Sequence, residues 1–367
     1  MAKSFAQWGN DLYTGRRSYA VVPKIRIWLA VAVGVIMVCS VLLVAPGLKL
    51  GMEFVGGTEF RVVGTSSTEQ APALDAVRGA LGADSSPTVT SMGGGGVRVQ
   101  VGKLTGDQTQ AVKTALAQAY EVPTTDVSNQ SVSASWGSDV SGKALRGSII
   151  FLVLVAAAMT LYFRNWAMAV SAITALLHDL IVTVGVYAAV GFEVTPATLI
   201  GFLTVLGYSM YDTVVVFDKV RENTDGVLDQ SQYTYGEAAN LAVNQTMVRS
   251  INTSVVALLP VAAILFIGWA LLGPSSLQDI SLALFVGMAA GTYSSIFLAT
   301  PLEVALRNRQ PKIAQHTERV LAKRAALLAA GGDAGVGMAA LSGIGALRAG
   351  EHRGHDAQPR RKPRAGR

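Results

Sequence analysis

One cysteine, Cys39, stands in 367 residues, so no disulfide and no cysteine-based metal site can form within the chain. No Gly-x-x-x-x-Gly-Lys-Ser/Thr loop is present, which removes the usual cradle for a nucleotide's phosphates. The metalloprotease pattern His-Glu-x-x-His is missing too. Charge is scarce: Asp, Glu, Lys and Arg make up 15% of residues against 51% hydrophobic, and mean hydropathy is +0.41. A chain of this length and apolarity is not an ordinary soluble globule.

The apolar excess is concentrated in six runs, at 27–45, 148–163, 166–190, 195–217, 251–272 and 280–304, each near the roughly 20 residues that cross a bilayer core as a helix. The second is short, and 142–147 completes it with Lys143 and Arg146 at the interface. The first is too long and too far from the start for a signal peptide, and it lacks a small-residue cleavage site. Positive charge sets the orientation. Lys24 and Arg26 precede the first run, Arg164 lies between the second and third, Lys219 and Arg221 follow the fourth, and Arg307, Arg309 and Lys312 follow the sixth. All fall on one side, which places both termini in the cytosol. The expected plan is a cytosolic N-terminus at 1–26, a first transmembrane helix at 27–45, an extracytoplasmic domain at 46–141, and a five-helix transmembrane bundle at 142–304. A cytosolic loop at 218–248 interrupts that bundle, and 305–367 is a basic, mostly disordered cytosolic tail.

Net charge is +6, and Arg360, Arg361, Lys362, Arg364 and Arg367 crowd the end of the chain. No aromatics are interleaved there on which bases might stack, so a basic cytosolic tail is expected and nucleic acid is not. Residues 325–350 are rich in Ala and Gly and read as poorly ordered apart from a short helix.

Between the first two runs, strand patterns at 53–63, 87–91, 97–101 and 126–135 alternate with helical patterns at 68–81 and 107–120. The order βαββαβ predicts a small α+β ferredoxin-like domain, an antiparallel sheet with both helices on one face. Gly93, Gly94, Gly95 and Gly96 read as a hairpin turn rather than a phosphate loop, since no helix start follows. Under a hundred residues leave room for a docking domain and none for an ordinary enzyme cleft.

Polar residues within the apolar runs point to function, because a charge at the bilayer centre costs about 3 kcal/mol on insertion scales. Asp212 shares a helical face with Gly201, Thr204, Tyr208 and Ser209. Gln245, Arg249, Asn252 and Thr253 form a second stripe at i, i+4, i+7 and i+8. Asp212 and Arg249 are expected to pair, either as a proton site or as an ion pair holding two helices in register. His178 and Asp179 rank second, with Ser171 and Thr174 on the His178 face, and Asp218 is the weakest candidate. In the sixth run Gly287, Ala290, Gly291, Ser294 and Ser295 make a small-residue face, for which close packing is a sufficient account.

Residues 207–223, Gly-Tyr-Ser-Met-Tyr-Asp-Thr-Val-Val-Val-Phe-Asp-Lys-Val-Arg-Glu-Asn, closely resemble the SecF motif GYS-x-x-DT-VVVFD-x-x-REN of the SecD/SecF family. Asn244-Gln245-Thr246 with Arg249, Ser281-Leu282-Ala283-Leu284, residues 291–297 and residues 53–58 add to the resemblance, which runs to about Pro301. It implies half of a resistance-nodulation-division transporter in the bacterial cytoplasmic membrane, completed by a SecD-like subunit. Attached to the SecYEG channel, such a complex draws translocating preproteins outward with protons as the energy source, and it is neither an enzyme nor a user of cofactors. Tyr211 stands where the family usually has Asn. Gly56 and Gly57 read as an ordinary strand bulge or as a specialised element. A small-molecule exporter of the superfamily needs larger outside domains, and an intramembrane aspartyl protease, whose Tyr-Asp element Tyr211-Asp212 mimics, needs a Gly-x-Gly-Asp element that is absent. A purely structural scaffold predicts no effect of Asp212→Asn.

The orientation has a direct test. A reporter active only in the cytosol is expected to work when fused after Arg309 and to fail when inserted near Gly94; the opposite pattern ends the six-span plan.

Overall fold

The computed structural model describes residues 5–45, 47–65, 67–92, 95–272 and 276–329. Their helices are α1 (Phe5–Tyr13), α2 (Ile25–Val44), α3 (Met52–Val55), α4 (Ala71–Leu81), α5 (Gly106–Ala119), α6 (Ala134–Phe163), α7 (Trp166–Val190), α8 (Pro196–Thr224), α9 (Tyr235–Leu272), α10 (Ser276–Ser294), α11 (Thr300–Arg307) and α12 (Pro311–Ala329). Strands are β1 (Lys49–Leu50), β2 (Gly57–Val63), β3 (Thr88–Met92), β4 (Gly96–Val101), β5 (Val127–Val132) and β6 (Glu193–Val194). Six stretches are long and apolar enough to cross a membrane: Val22–Val44, Asp139–Phe163, Trp166–Val190, Pro196–Asp229, Tyr235–Gly268 and Gln278–Arg307. The chain is thus a six-span helical membrane protein with a small sheet domain between its first and second spans. Contacts gather into two units, one formed by 24–217 with 249–303, the other by 1–23, 218–248 and 304–367.

In the larger unit the small domain has the antiparallel order β3-β4-β2-β5, as the split βαβ pattern requires. Phe60, Val62, Val97 and Val99 alternate onto one face of the sheet, where Ala73 and Val77 of α4 and Val112 and Leu116 of α5 cover them completely. Thr105 and Gln108 cap α5 reciprocally. Burial holds the Tyr120 phenol above its ordinary range, so it stays a donor, and it bonds the Glu69 carbonyl at 2.5 Å. Two boundaries differ from expectation. Residues 53–55 lie in the short helix α3, because Gly56 and Gly57, at φ 75° and 154°, end it in conformations that break a strand. Ala134 and Ser135 belong to α6, which continues as the second span. Gly93 and Gly94 of the expected hairpin turn lie outside the described residues.

The transmembrane part of this unit is centred on α7, which packs on α2, α6 and α10. Asn165 caps its start by accepting from the Ala167 N–H at 3.1 Å, and Gly191 ends it in the left-handed region at φ 75°. Gly185 admits Cys39 of α2, since a Cβ there would collide with that residue. Helices α8 and α10 meet through Gly201 with Ala283, Val205 with Gly287, and Ser209 with Gly291. Both series advance by four residues in the same direction, so the two helices run parallel with small residues between them. Apolar side chains on α2, α6 and α9, among them Met37, Val41, Leu154, Val256 and Phe266, are left exposed as a lipid-facing surface requires. The sheet domain also touches the bundle beyond its two covalent links. β1 pairs with β6 in parallel, and Glu193 receives Gln100 Nε2 at 3.3 Å and faces Arg98 Nη2 at 3.8 Å.

In the smaller unit α9 grips the segment before the first span. Asn240 Oδ1 accepts from the N–H groups of Val21 and Val22, each at 3.0 Å, and Asn244 both accepts from the Tyr19 N–H at 2.7 Å and donates to its carbonyl at 3.0 Å. Much of the region expected as a cytosolic loop is helical, since α8 runs to Thr224 and α9 resumes at Tyr235. The tail expected to be mostly disordered begins with the 19-residue helix α12. Its Ile313, His316 and Val320 are buried at helical spacing, His316 Nε2 lies 2.8 Å from the Gln230 carbonyl, and Arg324 forks onto Glu237 at 2.6 and 2.8 Å. Residues 330–367, with the basic cluster, lie outside the described residues.

Gly287→Val is expected to destabilise the bundle by about 1–3 kcal/mol, through overpacking against Val205. Gly34→Ala, which meets open space, is expected not to lower the unfolding midpoint in detergent, and equal loss in both variants refutes the close α8–α10 contact.

Candidate proton-handling site

Two of the carboxylates buried in the bundle, Asp179 and Asp212, are reached by neighbouring serines. Asp179 of α7 is fully buried, and its Oδ2 accepts from Ser209 of α8 at 2.5 Å and Ser294 of α10 at 2.8 Å. His178 Nδ1 lies 3.0 Å from the other oxygen. Asp212 of α8 accepts from the Ser295 hydroxyl. Ser294 closes α10 and Ser295 opens the π-helical turn Ser295–Ala299. Successive residues of a helix point about 100° apart, so two adjacent serines face two different neighbouring helices. A π turn is a local widening common at functional sites. Ser209 lies three residues before Asp212, so each carboxylate is one step from the groups that hold the other.

Further hydroxyls extend the network. Thr292 Oγ1 donates to Ser254 of α9 at 2.6 Å, and Tyr208 donates to the same oxygen at 3.5 Å. Tyr293 lies with its ring 5.9 Å from that of His178 and donates to the Trp28 carbonyl on α2 at 3.2 Å. Where hydrocarbon offers no partner, such bonds tie helices together at about 0.6 kcal/mol each on average. Among the described residues no group of three or more His, Cys, Asp and Glu is placed to hold a metal.

Of the expected residues, Asp212 and Ser209 are brought together and buried, Tyr208 is half-buried, and Thr204 is exposed and bonds its own helix at the Ile200 carbonyl. The expected Asp212–Arg249 pair is not made: among the described residues no ion pair joins them, and Arg249 is exposed. The inward face of α9 carries Ser250 and Ser254, one residue out of register from the stripe of Arg249, Asn252 and Thr253, of which Asn252 is exposed and Thr253 half-buried. Hydroxyls can be buried there at little cost, whereas a guanidinium needs a counter-charge that this helix does not meet. Gln245 serves the smaller unit, accepting from Asn223 at 2.9 Å and donating to the Tyr13 carbonyl at 3.2 Å. Tyr211, 56% exposed, and Asp218 point outward. Asp179, ranked second with His178, has more cross-helix bonds than Asp212. Ser294 and Ser295 were expected only to pack; hydroxyls where Gly or Ala would pack equally well were the available signal. Glu303, fully buried with Asn165 Nδ2 donating to it at 3.3 Å, escaped notice because it closes an apolar run.

Comparison with known proteins agrees with this architecture. Residues 111–309 match the family described as protein export membrane protein SecD/SecF, C-terminal. The protein translocase subunit SecF of Streptomyces coelicolor is 44% identical over 317 residues, 86% of this chain and 84% of that one. SecF of Mycobacterium tuberculosis is 44% identical over 324 residues, 86% of this chain and 73% of that one. Among solved structures, SecDF from Thermus thermophilus, a translocon-associated membrane protein, superposes with a TM-score of 0.68 at 27% identity, covering 80% of this chain and 39% of its own. SecDF in a super-membrane-facing form gives 0.59 at 27%, covering 82% and 40%. This chain therefore spans about two fifths of the solved SecDF chains. With buried carboxylates in a six-span bundle and close relatives along most of its length, the chain belongs to the SecD/SecF family of protein export membrane proteins, among its SecF subunits.

Proposed function

We propose that the chain works with a SecD-like subunit beside the SecYEG channel of the bacterial cytoplasmic membrane, both termini cytosolic, and spends the proton gradient on drawing preproteins outward. The observation that carries the reading is Asp212, a carboxylate inside a membrane-spanning helix whose described hydrogen-bond partner is a hydroxyl, Ser295. A hydroxyl both donates and accepts, so it can follow the carboxylate through protonation and ionisation without being left unpaired. Protonation turns Asp212 into a donor, Ser295 rotates, and the π turn that presents Ser294 and Ser295 shifts against α7 and α8. One proton crossing 100 mV supplies about 2.3 kcal/mol, which biases a two-state element roughly 50-fold.

Movement of α7 against α8 has a route to the sheet domain. The turn between those helices holds β6 and Glu193, which pair with β1 and with Gln100 and Arg98 of the domain. The exposed polar residues Arg249, Asn252 and Tyr211 support the partner reading, because a charged and two polar side chains on spans have no partner in lipid. Arg249 takes its counter-charge from the SecD-like subunit, and the name of the longer SecDF relatives is consistent with both halves in one chain.

Asp212→Asn keeps the size and the acceptor for Ser295 and removes the titratable proton. The variant is expected to reach the membrane, assemble, and lose gradient-stimulated export while ATP-driven export continues; wild-type gradient-stimulated export from the assembled variant removes Asp212 from the proton path. Purification in mild detergent is expected to recover a SecD-like partner at equal stoichiometry, and Arg249→Ala to reduce that recovery. A stable, active monomer refutes the partner.

A further inference from the structure

Of the nine buried side-chain polar atoms without a hydrogen-bond partner among the described residues, three lie in the seam where α7 packs on the end of the sixth span. They are His178 Nε2 and Ser171 Oγ on α7, and Thr300 Oγ1 at the start of α11. Ser171 and Thr300 are fully buried and His178 nearly so. Ser171 and His178 are seven residues apart, on the same face of α7. At one end of the seam Asp179 of α7 is bonded to Ser294; at the other Asn165, the cap of α7, is bonded to Glu303. As one helix runs forward the other runs back, so the two are antiparallel. Interpolating between these two bonded points brings Ser171 level with Thr300, in the segment where α7 packs on the π turn.

An unpaired buried hydroxyl costs about 1–3 kcal/mol, and buried polar atoms in native proteins are generally satisfied by protein or water. Three in succession between two buried carboxylates, beside side chains as small as Ala172, Ala175 and Ala299, are the lining that ordered water occupies. We infer that a wetted polar thread runs from Asp179 and Asp212 through His178, Ser171 and Thr300 to Glu303, and that Glu303 passes protons between this thread and the membrane face near Arg307. The ligands are water and protons. Glu303 suits the task by position, four residues before Arg307 near the end of the sixth span. The inference rests on the reading that Asp212 exchanges protons.

The test has two arms in the assembled complex. In a Cys39→Ala background, Ser171→Cys and Thr300→Cys are expected to react with a small cationic methanethiosulfonate applied from the Arg307 side, whereas Ala169→Cys, also buried but about 200° round α7 from Ser171, is not. Glu303→Gln can still accept from Asn165, so a bracing role confined to that bond leaves export intact. The expectation instead is a loss of gradient-stimulated export by about 100-fold, the lower end of what a positioned proton-transfer group contributes, with partial rescue by Glu303→Asp. Labelling of Ser171→Cys and Thr300→Cys no faster than Ala169→Cys overturns the thread, even if Glu303→Gln fails to assemble. Wild-type export from assembled Glu303→Gln overturns the role of that carboxylate. Labelling together with unaffected export in Asp212→Asn counts against the Asp212 reading and leaves the thread standing.

Discussion

A carboxylate placed among membrane-spanning helices must be met by donors from its neighbours, because hydrocarbon supplies none. Asp179 meets that demand with hydroxyls from α8 and α10, and the meeting point settles which helices touch and at what depth. The rest of the bundle follows from it. Ser209 can reach α7 only if α8 lies close to α10, and Gly201, Gly287 and Gly291 remove the side chains that would hold them apart. The serines of α10 can face two helices only because they are adjacent in the chain.

The division of labour between helices is also chemical. α2, α6 and α9 turn branched and long apolar side chains outward, while α7, α8 and α10 bury theirs together with the hydroxyls and carboxylates. Strength and responsiveness are thereby separated: the outer helices are held by packing, the inner ones by bonds whose donors and acceptors can exchange roles. Glu193, at the turn between α7 and α8, brings that inner layer into contact with the sheet domain.

Much of this was legible in the sequence. The six spans are visible because each needs an unbroken apolar run, and the βαββαβ order because period-two and period-3.6 patterns alternate within one short segment. Asp212 stood out as a lone acid on a small-residue face. Arg249 was misread for a definite reason: a stripe at i, i+4 and i+7 defines a face but not the direction in which it points, and on α9 the serines one residue away point inward. Gln245 shares that stripe yet bonds Asn223 and Tyr13, a choice made by residues far away in the chain. The π turn has no periodic signature, since one widened turn leaves the apolar spacing on either side intact. Residues 53–55 alternate like a strand, and only the two glycines after them show where extended structure begins.

The grip of Asn240 and Asn244 on the segment before the first span has a consequence for biogenesis. Tyr19 and the asparagine that holds it are separated by 225 residues, so at roughly 5–20 residues per second its partner leaves the ribosome about 10–45 s later. Throughout that interval the N–H groups of Tyr19 and Val22 lack the asparagine oxygens that receive them in the finished protein. The N-terminal segment is therefore a late-assembling piece of the molecule although it is synthesised first, and it awaits the first turns of α9 in the growing chain.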